Sequence, residues 1–115
     1  MDVLRIQVID STANGMLHLL NQPPGQAPWP NVVRRSEWFN ALSEHDQSMV
    51  SEVVRSAAFM ATFGFCCLFD GVRPIDNEGG SLRLLHVAVD DTETWLNDPS
   101  VCELHGELRG DGPSP

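Results

Sequence analysis

Basic side chains are scarce in this chain of 115 residues, and lysine and tyrosine are missing altogether. Seven arginines stand against sixteen aspartates and glutamates, which gives a formal net charge of −9 at pH 7. The only basic cluster is Arg34-Arg35, with no aromatic residues nearer than Trp38 and Phe39 on its C-terminal side. Because nucleic acid and anionic membranes bind concentrated positive charge, neither is predicted as a partner.

Long apolar runs are also missing. The longest apolar stretch, residues 57–69, is interrupted by Thr62 and Gly64. It is shorter than the about 20 residues that a helix needs to span a bilayer. The first residues do not show a basic segment followed by an apolar run, which is the mark of a secretory signal. We therefore expect a soluble, cytoplasmic protein.

Cysteine is limited to Cys66, Cys67 and Cys102. An odd number of cysteines, two of them adjacent, does not predict a disulfide framework. The sequence also lacks a Cys-x-x-Cys motif. The adjacent pair is predicted to point to opposite faces of a strand as buried, reduced thiols, which suits the cytosol.

Motifs of catalysis are absent as well, since neither a nucleophile elbow nor a glycine-rich phosphate loop is present. Catalytic residues, cofactors and an enzymatic activity are therefore not predicted. One alternative is a small enzyme or metal site in which Cys102 and His105, three residues apart on the last helix, are joined by His86. The sequence supplies no further ligand at a recognised spacing, so no metal is assigned.

The length predicts one domain over residues 1–115. Apolar residues at helical spacing predict a helix over residues 1–22, and the prolines that follow predict an extended connector over residues 23–35. Residues 36–63 are expected to hold two helices, the second beginning at an N-cap, Ser43. The second helix carries an apolar stripe made of Met49, Val53, Ala57, Met60 and Ala61, widened by Val50 and Val54.

The pattern changes period at Gly64, so residues 64–97 are predicted to form an antiparallel meander of about three strands. Its strands are expected at residues 65–69, 82–89 and 93–96. Asp98-Pro99 predicts a last helix over residues 98–109, followed by a frayed tail over residues 110–115. The predicted fold is therefore α+β, with the helices packed on one face of a small sheet. The second face of the sheet needs a cover, which a helix, the connector or the partner in a homodimer would provide.

The negative charge is concentrated in the second half of the chain. Ten of the sixteen acidic residues follow Phe69 together with three arginines, which leaves a net charge of −7 there, whereas the first 69 residues carry −2 from four arginines and six acids. Such a field attracts basic partners, so we predict binding to a basic protein. The other interpretation is that acidity only confers solubility. The predicted contact residues are Asp70, Asp76, Glu78, Asp90, Asp91, Glu93, Glu103 and Glu107.

Three segments of the C-terminal half share a pattern with other proteins: Phe65-Cys66-Cys67-Leu68-Phe69-Asp70-Gly71, Thr94-Trp95-Leu96-Asn97-Asp98-Pro99 and Leu104-His105. This pattern resembles one in small uncharacterised bacterial proteins, in which an apolar strand ends in Asp-Gly and a Leu-Asn-Asp-Pro turn opens a terminal helix. The resemblance implies a fold and no activity. Small acidic proteins of this kind are often immunity or inhibitor proteins, so an immunity role against a basic partner is the most concrete expectation.

Overall fold

Helices make up most of the computed structural model, which describes residues 2–23, 25, 29–72, 79–101 and 103–111. The chain begins as one continuous helix in three segments: α1 (Asp2–Leu4), a π-helical segment (Arg5–Asp10) and α2 (Ser11–Asn21). The later elements are α3 (Pro30–Asn40), α4 (Glu44–Phe69), β1 (Leu85–Val87), β2 (Glu93–Trp95) and α5 (Leu104–Asp111). This mixture of helices with an antiparallel sheet agrees with the predicted α+β class.

The starts of α3 and α4 follow from local sequence signals. Pro30 occupies the first turn of α3, where its missing N–H would have no helical partner in any case. The connector predicted over residues 23–35 is therefore wrong for its last residues, because this proline begins a helix instead of preventing one. At α4 the predicted N-cap is confirmed, since the Ser43 hydroxyl accepts a hydrogen bond from the backbone N–H of Asp46 at 3.1 Å.

The strand predicted over residues 65–69 is wrong, because α4 continues through it to Phe69 and is 26 residues long. Extending an existing helix costs little compared with starting one, and aromatic residues suit either structure. The signal that ends the helix is Gly71, whose φ of 78° places it in the left-handed region. The N–H groups of Gly71 and Val72 bond the carbonyl oxygens of Leu68 and Cys67 at 3.3 and 3.0 Å, which satisfies the end of the helix.

The sheet has two strands within the described residues, instead of the predicted three-stranded meander. β1 and β2 are antiparallel, with the pairs Leu85–Trp95, His86–Thr94 and Val87–Glu93. The predicted strand over residues 82–89 is reduced to three residues. Leu85 and Val87 are both exposed, so this face of the sheet has no cover within the described residues.

The last helix begins six residues later than predicted. Asp98 starts a turn instead, in which its Oδ1 accepts hydrogen bonds from the backbone N–H and the hydroxyl of Ser100 at 3.0 and 2.7 Å. An Asp-Pro pair initiates turns as well as helices, which explains the difference. α5 also runs through Gly110 to Asp111, two residues beyond the predicted end at residue 109. The remainder of the predicted tail, residues 112–115, lies outside the described residues.

The main core lies where the π-helical segment, the second half of α4 and α5 meet. The helical face of α4 that turns inward carries Phe59 and Cys66, and α5 covers it. Phe59 and Phe63 stack within this region, with ring centroids 6.1 Å apart. The buried members of the core are Ile9, Phe59, Cys66, Leu104 and Leu108.

The predicted apolar stripe of α4 is helical but uncovered. Met49, Val53 and Met60 are 45%, 65% and 60% exposed. At about 100° per residue they lie within an arc of about 40°, far around the helix from Phe59 and Cys66. Helical spacing therefore predicted that these residues share a face, and the structure shows that another face of α4 is buried.

Within the described part of the chain, α4 alone has the length and composition of a helix that could cross a membrane. An 18-residue window has a mean hydropathy of 1.4, and 17% of it is buried. α4 is thus longer than the apolar run of residues 57–69 on which the length argument rested, and the expectation of a soluble protein stays a prediction.

Candidate functional site

A cleft of about 160 Å³ lies beside the C-terminal end of α4. It is bounded by residues 69–71, by residues 81–83 and by Trp95, Asn97, Pro99 and Glu103. Four polar side chains, Asp70, Arg83, Asn97 and Glu103, line it together with apolar residues. A concave site with a few convergent polar groups is where a ligand or an ion is most readily held.

Asn97 holds the walls of this cleft together. Its side chain is buried and makes four hydrogen bonds, which use its full bonding capacity. The Oδ1 atom accepts from the backbone N–H of Leu84 and the indole N–H of Trp95, both at 2.7 Å. The Nδ2 atom donates to the carbonyl oxygens of Phe69 at 2.7 Å and Leu82 at 2.8 Å. One amide thus joins the end of α4, the chain before β1 and the end of β2.

Arg83 supplies the positive charge of the cleft. Its guanidinium lies 4.4 Å from the centroid of the Trp95 ring, the geometry of a cation–π contact. Arg83 also acts on Asp98, whose pKa is lowered chiefly by the hydrogen bonds from Ser100 and to a smaller extent by this arginine. The Arg83 guanidinium therefore makes a cation–π contact with Trp95 and an electrostatic interaction with Asp98.

Asp70 is an enclosed carboxylate that joins α4 to α5. Its side chain is 1% exposed. The Oδ2 atom accepts a hydrogen bond from the backbone N–H of His105 at 2.8 Å and lies 2.6 Å from His105 Nδ1. The Oδ1 atom is buried and has no hydrogen-bond partner. A carboxylate here satisfies an N–H group in the first turn of α5 and orients the imidazole ring.

His105 is held on three sides. Besides Asp70, the Oε2 atom of Glu103 lies 3.3 Å from its Nε2 atom, and Phe63 meets the ring edge-on at 5.8 Å between centroids. One ligand atom from each of Asp70, Glu103 and His105 can be chosen so that all three lie within 4.8 Å of one another. We call this set the Asp70–Glu103–His105 cluster. Its oxygen and nitrogen atoms are of the kind that bind a divalent cation.

Cys66 lies close to the cluster but is not poised as a nucleophile. Burial, followed by the negative charge of Asp70 and the neighbouring Cys67, raises the pKa of the Cys66 thiol from 9.0 to about 11. At neutral pH the group is therefore the unreactive thiol. Cys66 and Cys67 are both buried and free, as predicted, although they lie on a helix instead of a strand.

The structure places the predicted acidic contact residues in three environments. Asp90, Asp91 and Glu93 are exposed on the hairpin, and Glu103 and Glu107 are exposed before and within α5. Asp70 differs from them, because its carboxylate is enclosed and bonded to His105. Asp76 and Glu78 lie outside the described residues.

The predicted metal set of Cys102, His86 and His105 can be followed only in part. Cys102 lies outside the described residues, and His86 is an exposed residue of β1. Around His105 the structure instead brings together Asp70 and Glu103. Sequence reasoning missed the link between Asp70 and His105 because 35 positions separate them. The only local signal was the Asp-Gly pair, which indicates a turn and not a ligand.

Comparison with known proteins does not assign a function to this site. No protein-family model matches the chain, no curated protein is similar to it, and no solved structure matches its fold. The resemblance to small bacterial proteins therefore stays a prediction.

Proposed function

We propose that this protein acts by binding a basic protein through its β-hairpin. The proposed hairpin surface comprises residues 85–95, which are β1, β2 and the turn between them. One observation carries the proposal: the carboxylates of Asp90, Asp91 and Glu93 are exposed beside Val87 and Val89, which are also exposed. Apolar residues surrounded by charge are the usual composition of a protein–protein interface.

Hydrogen bonds hold the turn of this hairpin in one conformation. Asp90 Oδ1 accepts a hydrogen bond from the backbone N–H of Thr92 at 3.1 Å, and the backbone N–H of Ala88 bonds the carbonyl oxygen of Thr92 at 2.8 Å. Hydrogen bonds from Thr92 also lower the pKa of Asp90, which favours its charged form. Since an ordered turn loses little conformational freedom on binding, its carboxylates would bind a partner at a low entropic cost.

The most concrete form of this proposal is an immunity or inhibitor protein against a basic toxin or nuclease. The support is electrostatic: the chain after Phe69 carries a net charge of −7. Opposite charge on a partner raises the association rate and suppresses like-charged competitors. Membranes and nucleic acids, both anionic, are disfavoured by the same field.

The proposal is tested by neutralising the hairpin acids. In the variant Asp90→Asn, Asp91→Asn, Glu93→Gln each replacement keeps an oxygen acceptor, and asparagine tolerates the left-handed φ of 67° at Asp91. A matched control, Glu37→Gln, Glu44→Gln, Glu52→Gln, changes the net charge by the same amount on exposed helical positions. We expect the hairpin variant to bind a partner captured from the source lysate about tenfold or more weakly, and the control to bind it nearly normally.

A salt titration completes this test. Binding that depends on surface charge weakens as ionic strength rises, because the screening length falls to about 10 Å at 0.1 M salt. Equal loss in the two variants would mean that only the total charge matters. A partner whose binding ignores both salt and the hairpin variant would contradict the proposal.

A second candidate function is a structural homodimer, formed through the exposed stripe of α4. The observation that favours it is the alignment of Met49, Val53 and Met60 along one helical face that nothing in the described chain covers. Apolar helical faces of this kind are buried by pairing with another helix. In this version the acidity has no role beyond solubility.

A further inference from the structure

We propose that His105 and Glu103 bind a divalent metal ion of the zinc class, with Asp70 orienting the histidine. This site is separate from the hairpin surface and does not depend on the proposed partner. It differs from the set predicted from sequence, because His105 is the only member in common.

The first argument is the orientation of the imidazole ring. Asp70 Oδ2 lies 2.6 Å from His105 Nδ1 and already accepts a hydrogen bond from the backbone N–H of the same residue, so we assign Nδ1 as the second donor to this oxygen. In the neutral ring the lone pair is then on Nε2. A histidine whose other nitrogen donates to a carboxylate is the usual arrangement of a metal ligand, since the carboxylate fixes the tautomer and raises the basicity of the ring.

The second argument is the distance between the proposed ligand atoms. His105 Nε2 and Glu103 Oε2 are 3.3 Å apart. A charge-assisted N–H···O hydrogen bond is shorter, about 2.7–2.9 Å. Two ligands at about 2.0–2.1 Å from zinc and at the tetrahedral angle are about 3.4 Å from each other. The observed separation therefore suits two ligands of one ion better than a direct hydrogen bond.

The third observation is the incomplete hydrogen bonding of the Asp70 carboxyl group. Its side chain is almost fully buried, and its Oδ1 atom has no hydrogen-bond partner. A buried, incompletely bonded carboxylate is costly unless a positive charge lies near it. Arg83 shares the cleft but lies over Trp95 and interacts with Asp98. A cation held by Glu103 and His105 would compensate Asp70 more directly.

The cleft adjoins the proposed site on the side of Glu103, and water in it can reach an ion held there. Asp70 and Glu103 both line it, and its volume is about 160 Å³. A water molecule takes about 30 Å³ in the liquid, so the cleft can admit several. Two protein ligands with waters or a small anion in the other positions give an open, exchangeable site, with one protein ligand fewer than catalytic zinc sites usually have.

The test is titration of the full-length, metal-free protein with Zn²⁺ by calorimetry. Glu103→Gln is the decisive variant, because the Glu103 side chain is 54% exposed and its replacement should leave folding intact. His105→Gln removes the other ligand. The matched controls are Glu93→Gln and His18→Gln, which are exposed residues of the same types outside the cluster. We expect one equivalent of Zn²⁺ to bind, with affinity at least tenfold lower in both cluster variants and unchanged in both controls.

Titration with Co²⁺ separates this site from binding by the cysteines. Thiolate ligands give an intense charge-transfer absorption in the near ultraviolet, whereas histidine and carboxylate ligands do not. A thiolate band, or Zn²⁺ affinity that is the same in Glu103→Gln as in the wild type, would overturn the proposal. So would the absence of saturable binding at millimolar Zn²⁺. If circular dichroism shows that His105→Gln is unfolded, the Glu103→Gln comparison alone decides.

Discussion

Asp70 illustrates, at the scale of one residue, how position decides the role of a carboxylate. It is one of ten acidic residues after Phe69, and a residue in so acidic a segment is expected to be solvated at the surface. In the structure it follows the last residue of α4, and its carboxylate is bonded to His105 in the first turn of α5. Asp70 was predicted to be a surface contact residue. Because the end of α4 lies against the start of α5, it instead connects the two helices inside the protein.

Cys66 provides a prediction at the same scale. Its folded pKa of about 11 lies above the ordinary value of 9.0, so the folded protein keeps a proton that the unfolded chain loses between these values. Below pH 9 the thiol is protonated in both states, and the free energy of unfolding is at its full value. As the pH rises towards 11, only the unfolded chain loses this proton, so the free energy of unfolding falls. We expect the free energy of unfolding to decrease by roughly 2 kcal/mol between pH 8 and pH 10.5, since one pKa unit corresponds to about 1.4 kcal/mol.

This measurement is unusually direct because the chain has no lysine and no tyrosine, the residues that normally titrate in the same range. Urea unfolding followed by circular dichroism at the two pH values measures the effect. Cys66→Ala should abolish most of the pH dependence. A wild-type protein whose stability is flat from pH 8 to pH 10.5 would show that Cys66 is not enclosed as described.

At the scale of elements, Asn97 carries the connection between helix and sheet. Its amide bonds four backbone or indole groups from the end of α4, the chain before β1 and β2. A two-stranded hairpin is marginally stable by itself, so its position depends on such contacts. The Leu-Asn-Asp-Pro segment indicated only a helix start, because side-chain bonds to distant carbonyl groups have no local signature.

We expect Asn97→Ala to lower the free energy of unfolding by roughly 2–4 kcal/mol, because several buried groups would lose their partner at once. The control is Asn31→Ala, an exposed asparagine in the first turn of α3, which should cost less than about 0.5 kcal/mol. Urea unfolding of both variants beside the wild type measures the difference. Equal stability of the two variants would mean that the hairpin is not held through Asn97.

Helices and strands were predictable to different degrees in this chain. Ser43 caps α4 because its hydroxyl reaches an N–H three residues away, which is a local relationship visible in the sequence. Residues 65–69 have aromatic and apolar side chains that suit a helix or a buried strand, and short apolar runs do not distinguish the two. The helix prevails there because α5 and the π-helical segment cover its Phe59 and Cys66 face.

At the scale of the whole molecule, the described structure is extended. The radius of gyration is 18.0 Å and the extents are 50 × 32 × 29 Å. A compact domain of this length would have a radius of gyration of about 13 Å. Much apolar surface therefore remains outside the core, including the stripe of α4 and the side chains of β1. The homodimer proposal would bury part of this apolar surface.

The homodimer candidate makes a prediction at this scale. Val53→Glu places a charge in the middle of the α4 stripe, where it would be buried without a partner in a dimer. If the stripe pairs two copies, light scattering coupled to gel filtration should give twice the monomer mass for the wild type and the monomer mass for this variant. Ser48→Glu, an exposed position elsewhere on α4, is the matched control and should stay dimeric.

A wild-type mass of one chain at all concentrations would contradict the homodimer. Flotation with neutral lipid vesicles, reduced by Val53→Glu, would also exclude it, because it would assign the stripe of α4 to a lipid surface. The hairpin and cluster proposals use other residues, so neither outcome changes them.

The sequence by itself determined the acidity of the second half, the helical periodicity of the first half and the N-cap at Ser43. Each of these depends on composition or on residues within about four positions of one another. The tertiary structure alone decided which face of α4 is buried, that residues 65–69 are helical, and that Asp70 meets His105 across 35 positions. The physical reason is that burial and buried hydrogen bonds depend on which distant segments come together, and local spacing carries no record of that choice.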